Sequence, residues 1–599
     1  MSMQLEETDS SNGRVVVIGA GPAGLTAAYE LAKAGRNPIV LEKSHTVGGL
    51  SRTESYKGFY FDMGGHRFFT KSKAVSDMWR EVLTDEFLQR PRLSRIFYKK
   101  RFFHYPLKPI NVLSGLGLIE SVRIFLSYVW WHLFPFRIEE TFEHWVTNRF
   151  GQRLFLNFFK TYTEKVWGIP CSELKAEWAA QRIKDLSLKQ VVLSMFRKPG
   201  TSIKTLIEQF EYPRLGPGMM WKAVAKSVED HGGEVRINHD VIRICRDGNC
   251  VSSIVVASNG CTDHIEGDEF VSTMPITDLV KKLAPEAPQA VLDAAGELKY
   301  RAFLTVCLIV DQQDLFDDNW IYIHDPTVKV GRIQNYKNWS PDMVPDSNKT
   351  GLGLEYFCDE GDDLWSMSDE DLIELAKGEI HYLGLANRSG VEDGCVFRVA
   401  KSYPVYDSDY REHLAVLREF VEGLDNLQTI GRNGLHRYNN QDHAMLTGML
   451  AVSNILEGTD HDLWNVNADQ EYHEEVEVQD NGDVLVEEAI ASTFLKIDRY
   501  SFGMATGVTA GIGLFMATMF LVLKGGEAVG PTLGLLRYYF PGYTVSPTGS
   551  CVGLVYGMVV GFSGGWIYAL LRNAIVFAYL RLGHRRLERE AIRDLFDHG

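Results

Sequence analysis

Val15-Val16-Val17-Ile18-Gly19-Ala20-Gly21-Pro22-Ala23-Gly24 decides the fold of this chain. Its β-branched run reads as a buried parallel strand. The G-x-G-x-x-G spacing that follows reads as a tight turn into a helix N-terminus. A helix is expected over residues 25–35 and a second strand over residues 38–42, closed by Glu42. The unpaired N–H groups and positive dipole end of such a helix suit a pyrophosphate, and an acid closing the second strand suits a ribose hydroxyl. Glycine spacing alone is a weak signal; its position between strand and helix, with Glu42 behind it, gives it weight. Gly19, Gly21, Gly24 and Glu42 are therefore expected to hold a dinucleotide.

Downstream lie Val47-Gly48-Gly49-Leu50-Ser51-Arg52-Thr53 and Gly58-Phe59-Tyr60-Phe61-Asp62-Met63-Gly64-Gly65-His66-Arg67-Phe68-Phe69. The first resembles the second glycine fingerprint of FAD-binding proteins of the amine oxidase and glutathione reductase type. Glycines there let the backbone approach a ligand closely, and an NAD-only dehydrogenase has no need of them. The resemblance implies FAD, with Gly48, Gly49 and Leu50 among its contacts.

A chain of 599 residues has room for several cores, and a net charge of -16 argues against nucleic acid as a partner. Eight cysteines without a C-x-x-C pair suit a reducing compartment. Cys245, Cys250 and Cys261 sit in strand-like sequence, and no metal site is expected. Only polar, acidic sequence precedes the first apolar run, and no secretory signal is read there.

Residues 501–523 and 548–571 carry no charge, and each is long enough to span a bilayer. Glycine recurs every fourth position, at Gly503, Gly507 and Gly511, then at Gly553, Gly557, Gly561 and Gly565. Such spacing grooves one helix face. A transmembrane hairpin is expected, with two buried core helices as the alternative and a homo-oligomer through the glycine faces as a further use. Lys496 and Arg499 precede the first span, and Arg572, Arg581, Arg585, Arg586 and Arg589 follow or end the second. By the positive-inside rule, both termini and the flavin domain face the cytoplasm.

The expected fold class is α/β: a Rossmann-like FAD-binding domain with an inserted helical domain and an antiparallel-sheet substrate domain, plus a C-terminal two-helix membrane hairpin. Residues 1–13 read as a disordered tail. The FAD-binding domain takes residues 14–105, 215–290 and 415–455, the helical substrate domain 106–214, and the antiparallel-sheet domain 291–414. An acidic linker (456–498), the hairpin (499–582) and a basic cytoplasmic tail (583–599) follow. Residues 124–136 are apolar and aromatic but short for a span. They read either as core packing of the helical domain or as an interfacial, membrane-facing patch.

Gly431-Arg432-Asn433-Gly434-Leu435-His436-Arg437-Tyr438-Asn439-Asn440-Gln441-Asp442-His443 resembles the closing flavin motif of UDP-galactopyranose mutases, especially the eukaryotic type. Four more stretches are similar to theirs: Phe61 to His66; Lys165 to Pro170 with Trp178 and Arg182; Tyr212 to Trp221; and Asn319 to Tyr322 with Arg332 and Ser402-Tyr403-Pro404. The resemblance covers roughly residues 14–455. It implies further FAD contacts from Gly64, His66, Val241, Gly431, Arg432, Asn440 and Gln441. It implies a diphosphate clamp by Arg182 and Arg332, and a substrate wall of Tyr105, Trp167, Tyr322, Tyr403 and Tyr438. His66, Arg182 and Arg332 are the candidate catalytic residues.

In the mutases reduced flavin is the catalyst: its N5 attacks the anomeric carbon, the diphosphate leaves, and the sugar closes as the other ring size. The resemblance therefore implies a sugar mutase on a nucleotide- or polyprenyl-phosphate-linked sugar, for cell-envelope glycan synthesis, with NAD(P)H as candidate reductant. Leu107, Lys108, Thr163 and Ala444 depart from the mutase pattern and leave nucleotide and sugar open. The alternatives are an FAD-dependent oxidase or desaturase of a membrane lipid or isoprenoid, and a catalytically inactive flavoprotein scaffold.

Overall fold

A computed structural model describes residues 13–105, 107, 109–176, 209–466, 498–525 and 530–597. The chain forms two compact units, Met1–Val476 and Glu477–Gly599.

In the first unit, strand β1 (Val15–Ile18) is buried throughout and leads into helix α1 (Pro22–Lys33), which starts with proline where a missing N–H costs nothing. Strand β2 (Ile39–Leu41) returns beside β1. With β3 (Glu234–Arg236), β4 (Glu269–Ser272) and β5 (Leu427–Thr429) they form a parallel sheet in the order β5-β4-β1-β2-β3. Parallel strands buried on both faces explain the unbroken apolar run at residues 15–18.

Two antiparallel layers accompany this sheet. Asp240–Asp247, Cys250–Ser258 and Cys261–Glu266 form a meander, extended by the two-residue strand Leu283–Ala284. The larger layer has seven strands, among them Tyr300–Val310, Trp320–Ile323, Arg332–Asn335, Thr350–Cys358 and Val391–Pro404. Thr350–Cys358 is buried at every position, because helix Asp369–Tyr382 covers one face of the sheet and an aromatic layer around Trp320, Tyr336 and Trp339 covers the other. The observed Trp320–Ile323 and Asp369–Tyr382 coincide with the elements expected there. One difference concerns residues 14–105, assigned wholly to the FAD-binding domain. Their last part, Ser94–Tyr98 and Arg101–His104, joins the seven-stranded sheet, with Ser94 in parallel register with Trp320. Pairing between strands more than 200 residues apart leaves no local trace in sequence.

The described part of residues 106–176 is helical. Helix Leu118–Leu133 carries most of the aromatic stretch, and its large side chains point outward, with Phe125, Trp130 and Leu133 each about 60% exposed. Core packing is thus not what most of this stretch does; among the described side chains of the helix only Ser121 and Ile124 are buried.

One buried polar cluster ties strand Phe59–Asp62 to its surroundings. Asp62 Oδ1 accepts from Thr53 Oγ1 at 2.7 Å, Oδ2 accepts from the Tyr212 hydroxyl, and the backbone carbonyl accepts from the Tyr336 hydroxyl at 2.8 Å. Burial pushes the Asp62 carboxyl up to about 7, against the opposing pull of the two hydroxyl donors.

In the second unit, Arg499–Lys524 is capped by Asp498, which accepts from the Ser501 N–H at 2.6 Å. Arg499–Lys524 and Pro547–Asn573 are each long and apolar enough to cross a membrane, with mean hydropathies of 1.9 and 1.6. Their glycine faces pack on each other. A Cβ on Gly557 would lie 2.8 Å from Gly511 Cα, and one on Gly561 2.6 Å from Thr506 O. Thr506 Oγ1 also donates to Gly561 O at 2.8 Å. The glycine grooves expected to serve a homo-oligomer are therefore filled within the chain, since backbones this close leave no groove for a third helix.

Folding takes up a proton at Asp62 between its unfolded value of 3.8 and about 7, so this group's contribution to stability is lost as pH rises through that window. Thermal melts of wild type and Asp62→Asn should show the wild type's Tm advantage shrinking from pH 4 to pH 7.

Candidate functional site

Close backbone contact shapes the turn after β1. Gly19 has φ +98°, a Cβ on Gly24 would lie 2.0 Å from Gly19 O, and one on Gly49 would lie 3.0 Å from Gly21 Cα. Gly48 (φ +108°) and Gly49 (φ +53°) need left-handed backbone to bring Leu50 and the short turn Gly49–Ser51 against it. The Glu42 carboxylate accepts from the N–H groups of Ala20 (2.8 Å) and Ser44 (2.9 Å). An ionised carboxylate has about four acceptor positions, and these bonds use two. Val241 is buried in Asp240–Asp247, two residues past His239, whose N–H donates to Glu42 O at 2.8 Å.

The first turns of α1 meet helix Gln441–Glu457, where a Cβ on Gly448 would lie 2.5 Å from Ala23 O. Gly448 escaped sequence reasoning; its signal was a glycine inside a strongly helical stretch. Asn440 caps that helix in a reciprocal capping box with His443. Gln441, at its first turn, is buried, and among the described residues neither of its amide atoms has a partner. Gly431 (φ +80°) faces Ala23, and Arg432 donates through Nε to Asn439 O (3.0 Å) and through Nη1 to Ser402 O (3.1 Å).

His66 lies on the loop after Asp62. Its Nε2 donates to Met63 O at 2.9 Å, because a carbonyl only accepts, which leaves Nδ1 to accept from Ser51 Oγ at 3.4 Å. Burial first, then the charges of Arg432 and Arg332, hold its pKa down to about 4 against the bond to Met63. His66 is thus neutral at pH 7. Gly64 separates His66 from Arg332: a Cβ there would lie 3.6 Å from His66 Nε2 and 3.8 Å from Arg332 Nη2.

Arg332 donates through Nε to Oε2 of fully buried Glu355 at 2.7 Å, and through Nη2 to the same oxygen. Gln334 Nε2 holds the other oxygen at 2.8 Å. Arg332, Tyr322, Gln334, Gly65, Trp320 and Arg67 line a small pocket. Tyr322 packs edge-on to Tyr105 (5.2 Å) and Tyr162 (5.3 Å). Beside it, Tyr403 and Tyr438 stack at 5.6 Å, Trp167 lies 6.2 Å from Tyr438, and the Arg432 guanidinium sits 4.7 Å over the Tyr438 ring. Burial pushes the Tyr403 hydroxyl up to about 12 and holds the Tyr162 hydroxyl well above its ordinary value, so both keep their protons at neutral pH. Lys165 Nζ donates to Asp325 O (2.7 Å) and Val330 O (3.1 Å), fastening the helix that carries Tyr162 and Trp167 to the seven-stranded sheet.

Of the expected residues, Arg332 and Tyr322 line this pocket; Tyr105 packs on Tyr322, Trp167, Tyr403, Tyr438 and Arg432 form one cluster of rings and guanidinium, and His66 lies across Gly64 from Arg332. Arg182 and Trp178 lie outside the described residues. Glu355, Gln334, Tyr162, Arg67 and Arg92, whose guanidinium lies 5.8 Å over Tyr105, were not found by sequence reasoning. Only Arg67 had a signal, its place directly after His66.

Residues 22–456 match the family described as flavin containing amine oxidoreductases, and the chain belongs to that family. It is 37% identical over 130 residues to an L-amino-acid oxidase of Crotalus adamanteus, covering 19% of this chain and only 25% of that relative. It is 24% identical over 413 residues to the 15-cis-phytoene desaturase of Synechococcus elongatus, covering 63% and 81%. Its fold is similar to that of a reduced UDP-galactopyranose mutase, with TM-score 0.67 at 22% identity over 76% of this chain and 98% of that one. FAD is the cofactor of this fold, and the residues fit it: side-chain-free backbone at Gly19, Gly21, Gly24 and Gly49, and unpartnered Gln441 amide atoms at a helix N-terminus.

Gly24→Ala should cost about 1–3 kcal/mol of overpacking at the turn; the expected outcome is protein purified with little FAD, read as the flavin-to-protein absorbance ratio. The folded pKa of His66 lies below its unfolded 6.5, so its contribution to stability is lost as pH falls from 6.5 to about 4. The Tm difference between wild type and His66→Asn should shrink over that interval.

Proposed function

We propose that this family member is a membrane-tethered, FAD-dependent sugar mutase that interconverts ring forms of a sugar carried on a nucleotide or polyprenyl (di)phosphate. The observation that carries this reading is Arg332, a permanent cation held in place by Glu355 and surrounded by the tyrosines Tyr322, Tyr403 and Tyr162. A diphosphate needs such a cation and such donors, and an apolar substrate needs neither.

In this reading residues 14–93, 215–290 and 415–455 form the FAD-binding domain. Gly19, Gly21, Gly24, Glu42, Gly48, Gly49, Leu50 and Val241 hold the adenosine and pyrophosphate part, and Gly64, His66, Gly431, Arg432, Asn440 and Gln441 hold the ring. When bound and reduced, FAD supplies a nucleophilic nitrogen for redox-neutral chemistry at the anomeric carbon. The protein supplies the rest. Arg332, joined by Arg182, orients the diphosphate and stabilises its charge when the sugar bond breaks. Protonated Tyr403, with Tyr322 and Tyr438, donates to phosphate oxygens. Trp167 and Tyr105 exclude water, and neutral His66 keeps its single proton on Nε2, so it adds no charge beside the ring. The two apolar helices anchor the chain, with both termini cytoplasmic by the positive-inside rule, which favours a substrate presented from the cytoplasmic leaflet.

A second reading, an FAD oxidoreductase of a membrane lipid, is favoured by family membership and by the likeness to a phytoene desaturase.

Detergent-purified, dithionite-reduced full-length protein, offered nucleotide- and polyprenyl-linked sugars, should interconvert pyranose and furanose forms by NMR without net flavin oxidation. Arg332→Ala should slow this about 100-fold or more, the scale for loss of a charge-stabilising donor. No isomerisation, with anaerobic bleaching of the flavin by an isoprenoid lipid, would replace this reading with the second.

A further inference from the structure

Helix Leu118–Leu133 presents a face that no described residue covers. Ile119, Val122, Phe125, Leu126, Trp130 and Leu133 recur at helical spacing and are 49–73% exposed. The helix is not loose. Ser121 and Ile124 turn inward, and Glu120 accepts from Nη2 (3.0 Å) and Nε of Arg153 on a neighbouring helix. A continuous apolar face on a fixed helix needs an occupant.

The surrounding charge indicates which. Residues 99–137 hold six Lys and Arg (Lys99, Lys100, Arg101, Lys108, Arg123, Arg137) against one acid, Glu120, in a chain of net charge -16. That acid is neutralised, since Arg153 pulls Glu120 down to about 2. Lys99, Lys100, Arg101, Arg123 and Arg137 are exposed. An apolar, Trp- and Phe-bearing face flanked along the chain by exposed cations suits an anionic phospholipid surface. The same chain carries two helices apolar enough to cross a bilayer, which would hold this face near one at high effective concentration.

We propose that the Leu118–Leu133 face docks in plane on an anionic bilayer, its apolar side chains in the headgroup–acyl boundary and its cations against the headgroups. The docking does not depend on the mutase reading. It would have a consequence for the pocket. Helix Pro109–Leu116 is packed so tightly on strand Arg101–His104 that a Cβ on Gly115 would lie 2.3 Å from the Phe103 ring. That strand runs into Tyr105 of the aromatic wall, so the docked face is linked to the pocket wall through one helix and one strand.

The test uses full-length protein in nanodiscs, with Cys250, Cys261 and Cys551 changed to Ser and one environment-sensitive fluorophore on Leu126→Cys, or on Lys226→Cys as a control. Retained FAD absorbance certifies each variant as folded. In discs containing phosphatidylglycerol, the Leu126→Cys label should be quenched at least twofold by doxyl-labelled lipid and shielded from aqueous iodide, with lipid quenching halved in phosphatidylcholine discs or high salt. The control label should respond only to iodide. Iodide quenching of the Leu126→Cys label equal to the control would overturn the proposal, and so would shielding from both quenchers, which would mean that protein covers the face.

Discussion

At Gly21 and Gly49 two backbone segments pass so closely that a Cβ on Gly49 would lie 3.0 Å from Gly21 Cα. Much of the first unit depends on that clearance. It fixes where α1 begins, hence how β1 feeds the parallel sheet. Glu42 then reaches the Ala20 N–H from β2, and helix Gln441–Glu457 can lie on α1 because Gly448 also lacks a side chain. A bound pyrophosphate needs the same geometry, since its oxygens must meet bare backbone N–H groups. Fold and cofactor site therefore rest on one steric constraint.

This explains how much the sequence disclosed. The steric demand at residues 15–24 and 48–49 can be met only by glycine and β-branched residues in a fixed order, so it is written locally. Trp320–Ile323 and Asp369–Tyr382 were legible for the same reason, each being a periodic run with clear ends. The pocket wall was less so. Arg332 faces Glu355 because two antiparallel strands place them opposite each other, and such register appears only once the sheet is assembled. The transfer of Ser94–His104 to the seven-stranded sheet has the same cause. The outward face of Leu118–Leu133 was ambiguous in sequence because apolar periodicity does not say what lies opposite.

The centre of the site is electrically quiet for a place with so many ionisable groups. Asp62 ends a strand and His66 lies on the loop that follows, and burial favours the neutral form of each: the acid is pushed up and the base down. Tyr403 and Tyr162 keep their protons for the same reason. The charges that survive are guanidinium groups and one carboxylate, which makes their placement decisive.

That placement also governs how a ligand would arrive. Glu355 neutralises Arg332 at contact distance, and a neutral pair is a dipole, whose field decays much faster than that of a lone charge. On a chain of net charge -16, this pair by itself therefore projects little attraction into solution towards an anion. Long-range steering by this pair is weak, and in the proposed reading its guanidinium acts on a phosphate only at contact distance. Its share of the encounter rate would accordingly depend little on ionic strength.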